Sequence, residues 1–355
     1  MKPRALRIPA HGEPEVLQWT EIEWPVPKAG QVVVEAHATG VNYPDLLVIR
    51  GGYQNLAPLP FSPGKEVAGT VAAVGPGVDT LRIGDRVLAY AEYGCYAERI
   101  ALRAVDSCML PEGIDFADAI GIGLTFQTAH FALFERARLQ PGETVLVTGA
   151  TGGVGDATVQ LAKAHGAYVI AAIGTRSKAE FARAQGADEL LYLDDPQLAD
   201  RLPAQVRELT GGRGVDVVVE NLGSPVFEAC LRSLARSGRI VVVGFAGGPP
   251  ASLRSNYLLI KNLTATGLHW SDYRDDRPEL VRSAQAEIFG HWQAGRLRSP
   301  VTAAYRLHQA AIPLRHMADR RALGKFVLLT DRYQGRLAAF ISHTSTNHEL
   351  SHSAD

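Results

Sequence analysis

Cysteine is scarce in this 355-residue chain: Cys95, Cys108 and Cys230 are its only thiols, and no two of them form a Cys-x-x-Cys pair. That scarcity excludes a disulfide-stapled fold and a four-thiolate metal site, and it points to a reducing, cytoplasmic setting. No apolar run is long enough to read as a membrane span, and residues 1–15 carry Glu13, Glu15 and three prolines where a signal peptide would have an apolar core. An excess of one charge is missing as well. With 36 Lys and Arg against 37 Asp and Glu, the net charge of −1 supplies no field to draw the chain to nucleic acid or an anionic membrane, so neither is an expected partner. A Gly-x-Ser-x-Gly elbow is also lacking, which leaves hydrolytic chemistry unsupported. The histidines His11, His37, His130, His165 and His269 show no metal-ligand spacing, and His343, His348 and His352 sit in a polar tail.

A hydrophobic content of 46% is enough to bury a sizeable core, and the length suits two domains. Between residues 144 and 268 a beat repeats: a short Val/Ile/Leu run, a helically spaced stretch, then another run. The runs fall at 145–148, 169–173, 189–193, 215–220, 239–245 and 263–268, and glycine stops such as Gly166 and Gly186 close the helical stretches. This predicts an α/β fold with a Rossmann doubly wound parallel sheet. Before about residue 111 the pattern alternates with period two and is broken by Gly and Pro, which predicts an antiparallel β-rich domain. After 268 a long helix over 277–294, a short one over 308–319 and a strand over 325–330 are expected. The stretch 332–355, rich in Ser, His, Thr and Asn, is expected to be poorly ordered.

Directly after the first parallel run stands Thr148-Gly149-Ala150-Thr151-Gly152-Gly153-Val154-Gly155, followed by a helical stretch. Small residues at Ala150, Gly152 and Gly155 fit the dinucleotide fingerprint. They let the backbone turn tightly and approach a pyrophosphate, which the helix N-terminus then holds. An NAD-selective site ends its second strand with Asp or Glu; here the chain reads Gly174-Thr175-Arg176-Ser177-Lys178. Cations and hydroxyls without a carboxylate favour the added ribose phosphate of NADPH. Arg176 and Lys178 are poorly placed against a helix N-terminal dipole, which weighs against a merely decorative role.

Motifs in order along residues 1–330 resemble the quinone oxidoreductases of the medium-chain dehydrogenase/reductase superfamily, the zeta-crystallin-like branch. They include Gly40-Val41-Asn42-Tyr43-Pro44-Asp45, Leu59-Pro60-Phe61-Ser62-Pro63-Gly64, Glu66-Val67-Ala68-Gly69, Gly84-Asp85-Arg86-Val87, Thr128-Ala129-His130, the glycine loop, and the closing Gly324-Lys325-Phe326-Val327-Leu328. The resemblance implies a GroES-like (chaperonin-10-like) β-rich catalytic domain from residues 1–122 and 269–331. It places a Rossmann nucleotide-binding domain over 123–268, the active site in the cleft, and the protein in a homodimer.

Zinc-dependent relatives hold their metal with a Cys and a Gly-His-Glu motif; here Asn42 stands for the Cys and Lys65 for the His, which implies a zinc-free enzyme. Carried across, Asn42, Thr128 and Phe245 resemble positions at the nicotinamide end, and Asn221 belongs to the implied cofactor set. Ser177, Lys178 and Tyr192 resemble adenosine-phosphate positions, and Gly149, Gly152, Gly153, Val154, Gly155, Gly174 and Lys325 complete the implied cofactor set. Asn42 and Tyr53 are the implied catalytic pair, with Asn42 orienting the nicotinamide and Tyr53 touching the acceptor. A half-buried barrel tyrosine is the competing reading for Tyr53, and an Asx turn before Pro44 for Asn42. Leu47 and Glu220-Asn221-Leu222 depart from the pattern of such enzymes. The expected activity is NADPH-dependent hydride transfer to a quinone or enone, with an enoyl-thioester or 2-alkenal reductase as the alternative. A nucleotide-binding structural or RNA-binding protein is the reading from another class.

Overall fold

Runs of β-branched residues separated by glycine-closed helices build the middle of the chain, and in the computed structural model they become a six-stranded sheet. The structure describes residues 2–195 and 197–337, with the backbone alone at Ala199. Two compact units result: residues up to Gly123 together with those from Val301 onward, and Leu124–Pro300.

In the second unit the parallel strands are β1 (Thr144–Thr148), β2 (Tyr168–Ile173), β3 (Glu189–Tyr192), β4 (Val215–Glu220), β5 (Leu234–Val242) and β6 (Thr264–Gly267). Their order is β3-β2-β1-β4-β5-β6, the arrangement of a dinucleotide-binding sheet. Leu146, Ile170, Val218, Ile240 and the apolar face of the helix Val226–Ser233 form its core. The order reverses direction at β1, whose C-terminal end carries the glycine loop. Strand β5 starts five residues earlier than the apolar run 239–245 suggests. Ser237, at φ +60°, bends a stretch that still pairs with β4 through Leu234. Its last residue is Val242, so Phe245 lies in the loop beyond it.

The helix expected over 277–294 is found at Pro278–Gln293, and a second one, Trp270–Asp276, precedes it. Both belong to the second unit, so the boundary at 269 that the resemblance implies moves to 300. The physical reason is a buried amide cluster. Gln127 donates from Nε2 to the Val281 carbonyl and to Gln285 Oε1, each at 2.9 Å, and Phe131 packs on Tyr273.

In the first unit a seven-stranded sheet runs Val301–Arg306, Lys325–Leu329, Gln31–Val41, Glu66–Val74, Arg86–Tyr90 and Ser107–Met109, with Arg99–Arg103 also pairing Gln31–Val41. Its pairs are antiparallel except the first. The closing strand pairs Phe326 with Val41, and Val67 pairs with Thr39. That register brings the beginning of Lys325–Leu329, the beginning of Glu66–Val74 and the end of Gln31–Val41 to one place. The stretch expected to be poorly ordered from 332 onward begins as packed chain. Tyr333 is 5% exposed and donates its hydroxyl to Asp115 Oδ1 at 2.7 Å, and Arg336 pairs with Asp118. The remainder, 338–355, lies outside the described residues. No helix among the described residues is long and apolar enough to cross a membrane.

Candidate active site

In the second unit the candidate nucleotide loop starts where β1 ends. Gly149 adopts φ +58°, a conformation that favours glycine, and the Gly152 N–H donates back to the Gly149 carbonyl at 2.9 Å, closing the turn. Helix Gly153–Ala164 follows with Gly152 as its N-cap, so the first-turn N–H groups have no intrahelical acceptor and face the loop. A Cβ on Gly155 would stand 2.2 Å from the Gly149 carbonyl oxygen, so only glycine lets helix and loop approach this closely. Of the other small residues expected here, Ala150 is buried, Gly153 and Val154 are partly exposed, and Gly174 is exposed after β2.

After β2 the chain runs exposed from Gly174 through Ser177, with a 3-10 turn over Arg176–Lys178 and no acid among these residues. The Arg176 guanidinium lies over the Tyr192 ring, 4.2 Å from its centroid, and the Thr175 and Ser177 hydroxyls are 2.9 Å apart. Burial alone lowers the pKa of Lys178 from its ordinary value, a cost that a bound anion would relieve. Asn221 is committed to the scaffold: its N–H donates to Thr148 Oγ1 at 2.9 Å and its Nδ2 to the Thr148 carbonyl at 2.8 Å. Glu220, its pKa raised by burial, accepts from Thr148 and from the Leu222 and Gly223 N–H groups. The Thr128 hydroxyl donates to the Leu124 carbonyl of its own helix at 2.9 Å, and Phe245 stands 44% exposed.

In the first unit the convergence of three strand ends makes a buried charged ring. Lys325 Nζ donates at 2.6 Å to Asn42 Oδ1 and at 2.6 Å to Glu66 Oε1, and Asn42 Nδ2 donates to Glu66 Oε1 at 3.0 Å. The Lys325 and Glu66 side chains are 1% and 0% exposed. Gly40 and Gly123 make room for the carboxylate: a Cβ on either would fall 2.0 Å and 2.5 Å from its oxygens. Lys325 was expected at the cofactor; in the structure its ammonium is buried and donates to Asn42 and Glu66. Asn42 is 5% exposed and caps the helix Tyr43–Ile49. Its N–H donates to Asp45 Oδ2 at 2.8 Å, and its carbonyl accepts from the Asp45 N–H. The Asn42 backbone thus closes the start of the helix with Asp45, while the amide of its side chain joins the ring. Burial pushes Asp45 up to about 6, against the pull of Lys65 and of hydrogen bonds from Asn42 and Tyr96.

Lys65 and Tyr53 meet nearby. The Lys65 ammonium lies 4.4 Å from the centroid of the half-buried Tyr53 ring and donates to Glu92 Oε1 at 2.8 Å and to the Glu92 carbonyl at 2.9 Å. These residues do not suit zinc, which prefers thiolate, neutral imidazole and carboxylate. The amide oxygen of Asn42 is bound by an ammonium, and Lys65 offers no lone pair while paired with Glu92. Among the described residues no group of three His, Cys, Asp or Glu side chains could hold a metal. Sequence reasoning missed the Glu66–Lys325 pair. Its signal was a charge at the head of each of two otherwise apolar strands.

The sequence profile of the alcohol dehydrogenase GroES-like domain matches residues 28–140, and that of zinc-binding dehydrogenases matches 153–286. Quinone oxidoreductase-like protein 2 of Rattus norvegicus is 38% identical over 299 residues, covering 84% of each chain. The chain belongs to the quinone oxidoreductase family of medium-chain dehydrogenases/reductases. Among solved structures, a mycobacterial protein complexed with NADPH superposes with a TM-score of 0.86 at 32% identity, covering 92% of this chain and 99% of that one. An enoyl reductase, CurK, gives 0.83 at 26% identity, covering 93% and 100%. Membership makes the chain an oxidoreductase with a GroES-like domain and a Rossmann sheet, in keeping with the two sheets described above.

Proposed function

We propose that this oxidoreductase is NADPH-dependent and zinc-free, and that it reduces a quinone or a similar conjugated carbonyl in the cytoplasm. The observation that carries the cofactor choice is the exposed, acid-free stretch after β2, with Arg176 seated on Tyr192 and the Lys178 ammonium partly desolvated. The glycine loop from Gly149 to Gly155 would hold the pyrophosphate, and Arg176, Ser177, Lys178 and Tyr192 the adenosine-side phosphate. Thr128 and Phe245 are assigned to the nicotinamide end on the family pattern, and Asn221 to the cofactor site.

The chemistry NADPH supplies is one hydride, two electrons with a proton; a quinone that accepts it takes one further proton to become a hydroquinone. Lacking a Lewis acid, the chain contributes chiefly by positioning. Asn42 enters this with its amide fixed by Lys325 and Glu66, and it is assigned to orienting the nicotinamide. Tyr53 contacts the acceptor. A second reading, an enoyl-thioester or 2-alkenal reductase, draws support from the likeness to the enoyl reductase. The partner in either case is a small molecule. The three cysteines, buried and without disulfides, are compatible with a reducing compartment.

The test is a pair of dissociation constants. A charge-assisted phosphate contact is worth about 1.5–3 kcal/mol, so NADPH should bind at least about tenfold more tightly than NADH, and Lys178→Ala should erase much of the difference. Equal affinities, or an unaffected Lys178→Ala, would defeat the assignment.

A further inference from the structure

Lys65 occupies the position of a metal-liganding histidine in zinc-dependent relatives, and the proposed reaction gives it no task. Its surroundings are nonetheless specific. The side chain is 5% exposed, directly before the strand Glu66–Val74, and its carbonyl accepts from the Ala91 N–H at 3.0 Å, which fixes its backbone beside Glu92. An ammonium carries three donors. Two of them go to Glu92, to its carboxylate and its carbonyl oxygen, and the remaining side of the ammonium meets the face of Tyr53. Tyr53 itself packs against the cluster containing Leu46, Ile49 and Phe61, so the ring is held by apolar contacts on one part and by the cation on its face.

We propose that Lys65 is a positioning residue for Tyr53, holding the ring through its ammonium and making the phenol hydroxyl a stronger hydrogen-bond donor toward an acceptor's oxygen. The physical reason is electrostatic. A cation over an aromatic face is attracted to the ring's negative quadrupole, and the attraction grows when both groups are shielded from water. The same positive charge stabilises negative charge developing on the phenol oxygen, whether the hydroxyl only donates a hydrogen bond to a quinone or gives its proton up. Glu92 keeps the ammonium in place instead of consuming it, because the ring takes the side that Glu92 leaves. A methionine at 65 would fill similar space without charge, whereas an arginine would restore charge and stack on the ring.

This inference rests on the proposed assignment of Tyr53 to the acceptor, so its test has one arm that needs no turnover. NMR of protein carrying ring-labelled tyrosine, with Tyr53→Phe to identify the resonance, follows the ionisation of Tyr53 itself. Lys65→Met should move that ionisation up by about one pH unit, and Lys65→Arg should bring it back. In the second arm, NADPH oxidation is measured for wild type, Lys65→Met, Tyr53→Phe and the double variant. Lys65→Met should slow kcat by about 5- to 30-fold with little change in the KM for NADPH, and should have almost no further effect once Tyr53 is Phe. If Lys65→Met alone fails to fold, Lys65→Met/Glu92→Gln removes both charges together and should shift the ionisation in the same direction but by less, because the lost carboxylate had opposed the cation. A Tyr53 ionisation that is identical with and without Lys65 would overturn the proposal, as would two substitutions whose rate effects multiply. Absence of turnover in the wild type, with the Tyr53 shift intact, would refute the reductase reading and leave the Lys65–Tyr53 coupling standing.

Discussion

Replacing Lys325 by methionine probes the buried ring that fixes Asn42 in the first unit. The substitution removes the counter-ion of Glu66, whose side chain has no solvent exposure, and takes away the donor that holds Asn42 Oδ1. Because both partners are enclosed, solvent screening offers little relief, and breaking such a pair costs about 3–5 kcal/mol. Glu66→Gln/Lys325→Met removes both charges, and replacing a buried pair by neutral groups of similar size is often close to neutral. The double variant should therefore lose less than about 2 kcal/mol, well below the sum of the single losses. Urea unfolding of the wild type, both single variants and the double variant measures the difference. Activity adds a second reading: with its amide no longer fixed, Asn42 should orient the nicotinamide less well, and every acceptor should slow by a similar factor. A Lys325→Met loss under about 1 kcal/mol, or single losses that simply add, would show that the pair is not coupled in the way its geometry implies.

Gly155→Ala should cost about 1–3 kcal/mol of stability and weaken NADPH binding at least tenfold, since its Cβ would lie 2.2 Å from the Gly149 carbonyl; unfolding and binding titrations check both. Asp156 lies fully buried in the first turn of the same helix, and burial raises its pKa to about 8, while an unfolded aspartate titrates near 3.8. The folded chain thus holds a proton that the unfolded chain has released, so stability should fall as pH rises from about 4 to about 8; Asp156→Asn, measured by unfolding across that range, should flatten the slope. Strand β6 is a short sheet edge next to Leu259 and Ile260, which are 80% and 64% exposed. Edge pairing with a second copy should give a homodimer at micromolar concentration, and Ile260→Asp should yield monomers by sedimentation.

The parallel sheet was legible because most of its strands are apolar runs and Gly166 and Gly186 stop the helical stretches before β2 and β3, and the loop after β1 because its small residues are forced by backbone approach. Trp270–Asp276 was not, since its polar sequence has no apolar period and its helix is held by Gln127 and Phe131 from far along the chain. Strand β5 began early because Arg236-Ser237-Gly238 reads as a turn although it continues a ladder. The buried ring of the first unit was legible only as single positions. Asn42 and Lys65 marked the altered metal site, but the link between Glu66 and Lys325 spans 259 residues and depends on the register of the closing strand. Residues 332–337 looked like tail because one buried tyrosine in a polar stretch leaves no periodic trace.

The most direct measurement is the rate of NADPH oxidation by the purified protein with a panel of quinones, enals and enoyl thioesters, with and without a chelator and alongside elemental analysis for zinc. Turnover of quinones or conjugated carbonyls that NADH supports poorly, with no stoichiometric zinc and no loss to the chelator, is the expected result. Oxidation of NADPH no faster than in the absence of protein for every acceptor, or activity that disappears with removal of a stoichiometric metal, would contradict a zinc-free NADPH-dependent reductase.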